Sequence, residues 1–505
     1  MKKFLLILAL LTVVSGVSAQ SRSLKRGVCW DEKGNRALTD APLEKLQPGV
    51  SWIYTWGLTP VANPIPSMLN CTPEGVEFIP QVWNSGNLNA QKLRDYLSKY
   101  PETRYIMGYN EPNFKAQANM TPEAAANQWP ELEAVAADYP GIKLVSPALN
   151  FTGEQVGGRV WQPDAWLEEF IKVYKQKNGK LPRIDAIGLH CYMNWSGAMK
   201  WFVTEYFYKD NNNAAHPYIQ EMLADAMEKN GRYPGVMLSE FCSWEGDKDG
   251  FVTNKENQMD QMTQKLQILE QTDLCEGYAW FMANSNYNQN PYMSLFETSN
   301  VNSELSPLGV VYVYMSSFDK EKWYKAGEKI LAKDYIDAPI DGERIQLRPD
   351  TEEGSAAKLQ VSFKRAQNKE GQPFNAYAVY QLDMADQASG LTLHLNTTAA
   401  GKVSIAFDGG DATEYDIPST DGKWGDSKIN CTIPAGKHSM TLTNLSAQNV
   451  LVNALCVGEP SGVAAIDAAA QSQAIYTIDG VRVSEMNAPG IYIVKDAKGA
   501  RKVLK

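Results

Sequence analysis

The sequence predicts an α/β protein whose main unit is a (β/α)8 TIM barrel, followed by an antiparallel β-sandwich and a small β domain at the C-terminus. Three observations predict it. From Gly27 to about Ser317, short β-rich runs alternate with longer helical patterns, the signature of βαβ units in a parallel sheet. From about Asp337 the pattern changes to short alternating strands with turn signals, as a sandwich requires. A stretch of small residues, GEPSGVAAIDAAAQSQ, then sets a last group of strands apart.

The elements follow in order. MKKFLLILALLTVVSGVSAQ has a two-lysine start, an apolar run and small residues before Gln20, so residues 1–19 read as a cleaved secretory peptide. Eight strand runs come next: GVCW (27–30), SWIYTW (51–56), EFIPQVW (77–83), YIMGYNEPN (105–113), KLVSPALN (143–150), AIGLHCY (186–192), GVMLSEF (235–241) and GYAWF (277–281). Helix-like segments such as AQKLRDYLSKY and PDAWLEEFIKVYKQKNG separate them, and eight such units close most readily as a barrel spanning residues 20–320. KLQVSF, NAYAVYQLDM, GLTLHL and NVLVNALCV place the sandwich at 338–458, the linker takes 459–473, and Asp-Gly and Pro-Gly turns mark a compact strand group at 474–505.

Composition narrows the function classes. The net charge of −10 is spread without blocks, which argues against a nucleic-acid partner and is indifferent to a neutral polysaccharide. After the leader, no apolar run approaches the roughly 20 residues of a membrane helix, so an exported protein without a membrane span is expected. The seven cysteines form no CxxC pair and the four histidines are scattered, so neither a disulfide framework nor a metal centre is signalled. One disulfide stays open, no cofactor is expected, and a monomer is.

In such barrels the working groups come from the carboxyl ends of strands. Glu111 follows IMGYN and is followed by Pro112, which ends its strand; Glu240 closes VMLS ahead of Phe241. Two strand-end glutamates supply what glycoside hydrolysis needs, an acid for the leaving oxygen and a carboxylate across the sugar. A gap of about 5 Å between them implies retention of configuration, and about 6.5–9.5 Å implies inversion through water. Asn110 adds a donor for a sugar hydroxyl beside the reacting carbon, and Asn150 closes the fifth strand. His190 and Tyr192, two apart in one strand, share a face and are placed to orient a carboxylate. Aromatics gather at strand ends: Trp30, Tyr54, Trp56, Trp83, Trp195, Trp244 and Trp280, of which Trp83, Trp195, Trp244 and Trp280 are the better candidates for a glycan cleft.

The ordered series SWIYTW, FIPQVW, IMGYNEPN, SPALN, AIGLHCYMNW, VMLSEF, GYAWF and SPLGVVYVYMS resembles the glycosyl hydrolase catalytic core of glycoside hydrolase family 128, over roughly residues 27–317. The resemblance implies a retaining enzyme with Glu111 as general acid/base, Glu240 as nucleophile, Asn110 touching the sugar, and endo-β-1,3-glucanase activity on laminarin- or curdlan-like β-glucan. The sequence departs from the family's pattern at CYMNW, where Cys191 stands in place of a tryptophan, so a narrower or a shifted subsite, with a different preferred chain length, is expected there. Residues 338–458 resemble a family 6 or 35 carbohydrate-binding module, with Trp424 and Tyr415 as sugar platforms, and the tail resembles a type IX sorting domain. The latter implies a secreted or outer-surface location, with the periplasm left open. Two readings stay beside this one: a related glycosidase acting on another β-glycan, and a surface glycan-binding protein without catalysis.

Overall fold

The computed structural model describes residues 20–458 apart from 33–35, 63, 71–74, 210–214, 245–253, 286–291, 299–302, 341–343 and 368–370, together with the backbone of four strands between 474 and 504. The expected leader, 1–19, and linker, 459–473, lie outside the described residues.

All eight runs become parallel strands: β1 (Arg26–Cys29), β2 (Trp52–Tyr54), β3 (Glu77–Phe78), β4 (Tyr105–Met107), β5 (Lys143–Val145), β6 (Ala186–Cys191), β7 (Gly235–Phe241) and β8 (Cys275–Trp280). They form one sheet in the order β3-β2-β1-β8-β7-β6-β5-β4. Covered on both faces, they read as continuous apolar runs and not as alternating ones. The sheet curls until its outer strands meet, because past the strand ends Met107 N donates to Pro80 O at 2.9 Å and Val82 N to Met107 O at 3.0 Å. The result is a TIM-like α/β core.

Helices α1 (Asp40–Leu46), α2 (Ala90–Lys99), α3 (Pro122–Ala137), α4 (Pro163–Asn178), α5 (Ser196–Thr204), α6 (Pro217–Asn230), α7 (Lys255–Gln271) and α8 (Pro307–Tyr314) surround the sheet. Their ends obey local rules. Asn89 and Thr121 cap α2 and α3 by accepting from Lys92 N and Ala124 N, and left-handed Gly179 and Gly231 terminate α4 and α6. The repeat departs from strict alternation in two places. Among the described residues no helix joins β2 to β3, whereas two, α5 and α6, join β6 to β7.

Several strands are shorter than their apolar runs. The run YIMGYNEPN keeps ladder pairing only over Tyr105–Met107, with one further bridge between Asn110 and Ala148. Gly108 explains the turn between them, since a Cβ there would lie 2.9 Å from both Pro147 N and Val145 O. Only glycine lets the chain pass β5 this closely before presenting Asn110 and Glu111 at the mouth.

The second unit is an antiparallel sandwich of two sheets. Strands β9 (Lys329–Leu331), β10 (Ile345–Pro349), β11 (Leu359–Phe363), β13 (Ala388–Asn396), β16 (Trp424–Ile433) and β18 (Val450–Val457) make one. Strands β12 (Tyr377–Met384), β14 (Gly401–Phe407), β15 (Thr413–Ile417) and β17 (Gly436–Asn444) make the other. The sandwich therefore begins at Lys329 and not at 338. β9 gains its order by pairing with β18, more than a hundred residues later, and its three residues carry no alternation of their own.

Helix α7 touches this unit directly: Arg348 pairs with Asp260 at 2.8 Å, Gln346 donates to the same carboxylate at 2.9 Å, and Gln267 donates to Ala338 O at 2.8 Å. At the C-terminus β19 (Ala474–Thr477), β20 (Arg482–Val483), β21 (Ile491–Asp496) and β22 (Gly499–Leu504) form an antiparallel sheet ordered β20-β19-β21-β22. No disulfide joins the six described cysteines, five of them buried, and Cys71 lies outside the described residues. Among the described residues no helix is long and apolar enough to cross a membrane.

Candidate active site

Glu111 sits just past β4, and its backbone holds φ +42°. A branched-at-nothing glutamate still meets a steric cost in that left-handed region, and such outliers persist where surrounding contacts over-determine them. Here Glu111 N donates to Ala148 O at 2.9 Å and Glu111 O accepts from Phe114 N at 3.0 Å, fixing the turn from both sides. Glu240 lies near the end of β7. Pairing with β6 shifts between Leu189–Leu238 and His190–Glu240, so Ser239 is an extra residue that turns the next side chain toward the mouth.

The two carboxylates converge on one imidazole. His190 Nδ1 lies 2.9 Å from Glu111 Oε1 and 3.3 Å from Glu240 Oε2, and one ligating atom from each of the three residues falls within 4.8 Å of the others. His190 Nε2 meets Ser239 Oγ at 3.1 Å. Glu240 collects further donors: Trp56 Nε1 to Oε1 at 2.7 Å, the Tyr54 hydroxyl to Oε1 at 3.2 Å, and the Tyr192 hydroxyl to Oε2. Glu111 receives Asn150 Nδ2 at 3.4 Å.

Burial sets the electrostatics. It pushes the Glu240 carboxyl above the ordinary carboxylate range; His190 and the hydrogen bonds from Tyr192 and Trp56 oppose this, while the nearby Glu111 reinforces it. For His190, burial disfavours the cation, but the attraction of Glu240 and the bond to Glu111 prevail and raise its pKa. An imidazolium fits the contacts, because both ring nitrogens can then donate, Nδ1 to the glutamate oxygens and Nε2 to Ser239. Burial also raises the Tyr192 and Tyr54 phenols, so both remain protonated donors.

A pocket of about 1210 Å³ opens over this cluster, lined by Trp56, Trp83, Asn110, Glu111, Phe114, Gln117, Asn150, Tyr192, Glu240, Trp244 and Phe281, with Asp31, Glu32 and Glu154 among its acidic residues. Paired carboxylates under an aromatic-lined cleft are what breaking a glycosidic bond requires. The family described as "Glycosyl hydrolase catalytic core" matches residues 27–312, more than half of the chain. The chain belongs to that glycosyl hydrolase family.

Solved structures resemble part of this glycoside hydrolase. A family 128, subgroup II, endo-β-1,3-glucanase from Pseudomonas viridiflava is 30% identical, covering 58% of this chain and 98% of that one, with a TM-score of 0.44. A subgroup II endo-β-1,3-glucanase from Sorangium cellulosum is 27% identical, over 57% and 97%, at 0.41. A subgroup V exo-β-1,3-glucanase from Cryptococcus neoformans is 23% identical, over 57% and 98%, at 0.39. No curated protein matches the chain.

Of the residues expected at the hydrolase site, Glu111, Glu240, Asn110, Asn150, Tyr192, Trp83 and Trp244 line the pocket together. His190, expected at the substrate beside Tyr192, does not line it: fully buried, it lies against both carboxylates, with Nδ1 in contact with each. Two expected aromatics lie elsewhere. Trp280 is 0% exposed, packs edge-on against Phe241 at 5.2 Å and in a tilted contact with Tyr312 of α8 at 5.9 Å, and donates to Met293 O at 2.7 Å. It faces the helices because neighbours in a strand point to opposite sides. Trp195 is 63% exposed at the start of α5 and is not among the pocket residues. Trp424 sits on the sandwich, its ring stacked on His394 at 5.8 Å and its Nε1 3.4 Å from Thr351 Oγ1, away from the pocket lining.

Among the pocket aromatics, Phe114 was missed from sequence and two others were underrated. Phe281, next to Trp280, stacks on Trp244 at 5.5 Å and meets Tyr192 edge-on at 5.4 Å. Trp56 packs edge-on against Phe281 and Tyr54 and holds φ +59°. The available signal was position: both residues end their runs, SWIYTW and GYAWF, where a side chain reaches the mouth.

Proposed function

We propose that this chain is an exported, retaining endo-β-1,3-glucanase with Glu240 as nucleophile and Glu111 as general acid/base. The observation that carries the mechanism is the closeness of the two carboxylates, with oxygens within 4.8 Å of each other and His190 between them. That spacing suits direct attack better than the wider gap that admits a water for inversion. In the first step Glu240 bonds to the anomeric carbon as the glycosidic bond breaks, and Glu111 gives its proton to the departing oxygen. In the second, water attacks that carbon, its proton passes to Glu111, and Glu240 is released as carboxylate. Trp56, Tyr54 and Tyr192 supply donors that favour the departing carboxylate.

The substrate class is supported by the ordered strand-end motifs and by kinship with the 30% identical enzyme from Pseudomonas viridiflava. A pocket of about 1210 Å³ exceeds the range of about 300–1,000 Å³ that suits one small ligand, which favours several sugars of a chain in place at once. The leader-like N-terminus and the strand-rich tail support export to the cell surface or beyond. Trp424, held flat against His394, offers a second carbohydrate contact on the sandwich.

The deciding experiment is proton NMR of the purified protein with laminarin, read in the first minutes. The expected product is a β-anomeric oligosaccharide mixture of several lengths. An α-anomer would overturn retention, a single short product would overturn endo action, and cleavage of mannan or xylan in place of laminarin would move the enzyme to another β-glycan.

The pH profile carries its own sign. Glu240 must be ionised to attack, and its carboxyl is raised, so activity is lost as pH falls through a value above that of an exposed glutamate. Tyr192→Phe removes a donor that opposes the rise, and the acid limb of kcat/KM should then move to higher pH. An acid limb in the ordinary glutamate range, unmoved by that substitution, would contradict the assignment.

A further inference from the structure

The innermost side of α7 carries a charged residue that the reaction does not use. Lys265 is 0% exposed. Its Nζ donates to Met193 O at 2.6 Å, to Ser243 Oγ at 2.7 Å and to Cys242 O at 3.3 Å. Burying an ammonium is costly unless its donors are satisfied, and here they are spent on two loop segments. Met193 directly follows Tyr192, whose hydroxyl touches Glu240. Cys242 and Ser243 lie in the three-residue link between Glu240 and Trp244.

Neighbouring bonds tie the same two segments. Trp244 N donates to Tyr192 O at 3.2 Å, Ser243 Oγ to Asn194 O at 3.4 Å, and the fully buried Gln258 Nε2 to Ser243 O at 3.2 Å. One cation thus joins the ends of β6 and β7 from below, at the level where the nucleophile and its hydroxyl donor leave their strands.

We propose that Lys265 is a positioning residue for the reaction: by clamping Met193 to Cys242 and Ser243 it holds the Tyr192 hydroxyl and the Trp244 ring in register with Glu240. This rests on the reading of Glu240 as nucleophile. A shift of about 1 Å at a reacting group costs about 10²-fold in rate, so a clamp one residue away acts strongly without touching substrate.

The test is a double-mutant cycle between Lys265→Met and Tyr192→Phe, measured as kcat and KM on laminarin, with thermal melts of every variant. Lys265→Met alone should lower kcat by about 10- to 100-fold with a smaller change in KM, the scale of a misplaced reacting group. In the Tyr192→Phe background the same change should cost little, because the contact that it supports is already gone. Equal losses in both backgrounds, or a lowered melting temperature with unchanged kcat, would overturn the proposal and leave Lys265 a structural residue.

Should Lys265→Met not fold, Ser243→Ala removes one leg of the clamp and must show the same non-additivity. A wild type inactive on laminarin would refute the glucanase reading alone. In that event acrylamide quenching still decides for the clamp: the share of fluorescence assigned to Trp244, by comparison with Trp244→Phe, should become more accessible in Lys265→Met, and an unchanged share would sink it.

Discussion

Glu240→Ala should abolish turnover of β-1,3-glucan, with kcat falling by about 10⁴- to 10⁶-fold, the scale on which enzymes lose a covalent nucleophile. The vacated side chain leaves room beside the anomeric carbon, facing Trp56, Tyr54 and Tyr192. Azide can occupy that room. With an aryl laminari-oligosaccharide as donor, azide should restore product release as a glycosyl azide of inverted configuration, because only one displacement then takes place. NMR of the azide product reads both the rescue and its stereochemistry. A retained azide would assign the nucleophile elsewhere.

The second large effect is at Glu111. Glu111→Ala should lower kcat on laminarin by about 10²- to 10⁴-fold, the usual worth of a positioned acid/base. Substrates whose leaving group needs no proton should keep a fast first step, with a burst of the aryl alcohol followed by slow release of the sugar. Azide should speed that second step and give a product of retained configuration, since Glu240 still acts first. The two variants therefore give opposite azide stereochemistry, and an exchange of the two outcomes would mean that the roles are reversed. Full activity of Glu111→Ala on laminarin would remove it from the reaction.

Much of the fold was legible because a parallel strand covered on both faces leaves a continuous apolar run, and all eight runs became strands. Glu111 and Glu240 stood out for the opposite reason, as acids closing such runs. Facing was harder to read. Trp280 and Phe281 are adjacent, one turned to the helices and the other to the pocket, and a single-residue error in phase exchanges them. Trp56 depends on a left-handed backbone that the residue type gives no reason to expect.

Helix α7 shows the larger gap. KENQMDQMTQKLQILEQ has the composition of a solvated helix, yet Gln258, Gln264, Lys265 and Gln267 are buried. Their partners come from distant segments, the loops after β6 and β7, the start of α5 and the chain around Ala338, so no local pattern could announce them.

One nitrogen of His190 touches both acids, and this changes what a titration of the protein can mean. Protons leave the buried His190–Glu240 pair in macroscopic steps that belong to the pair and to neither member. The acid limb of the rate profile therefore reports that pair, and the shift expected in Tyr192→Phe is a shift of the pair.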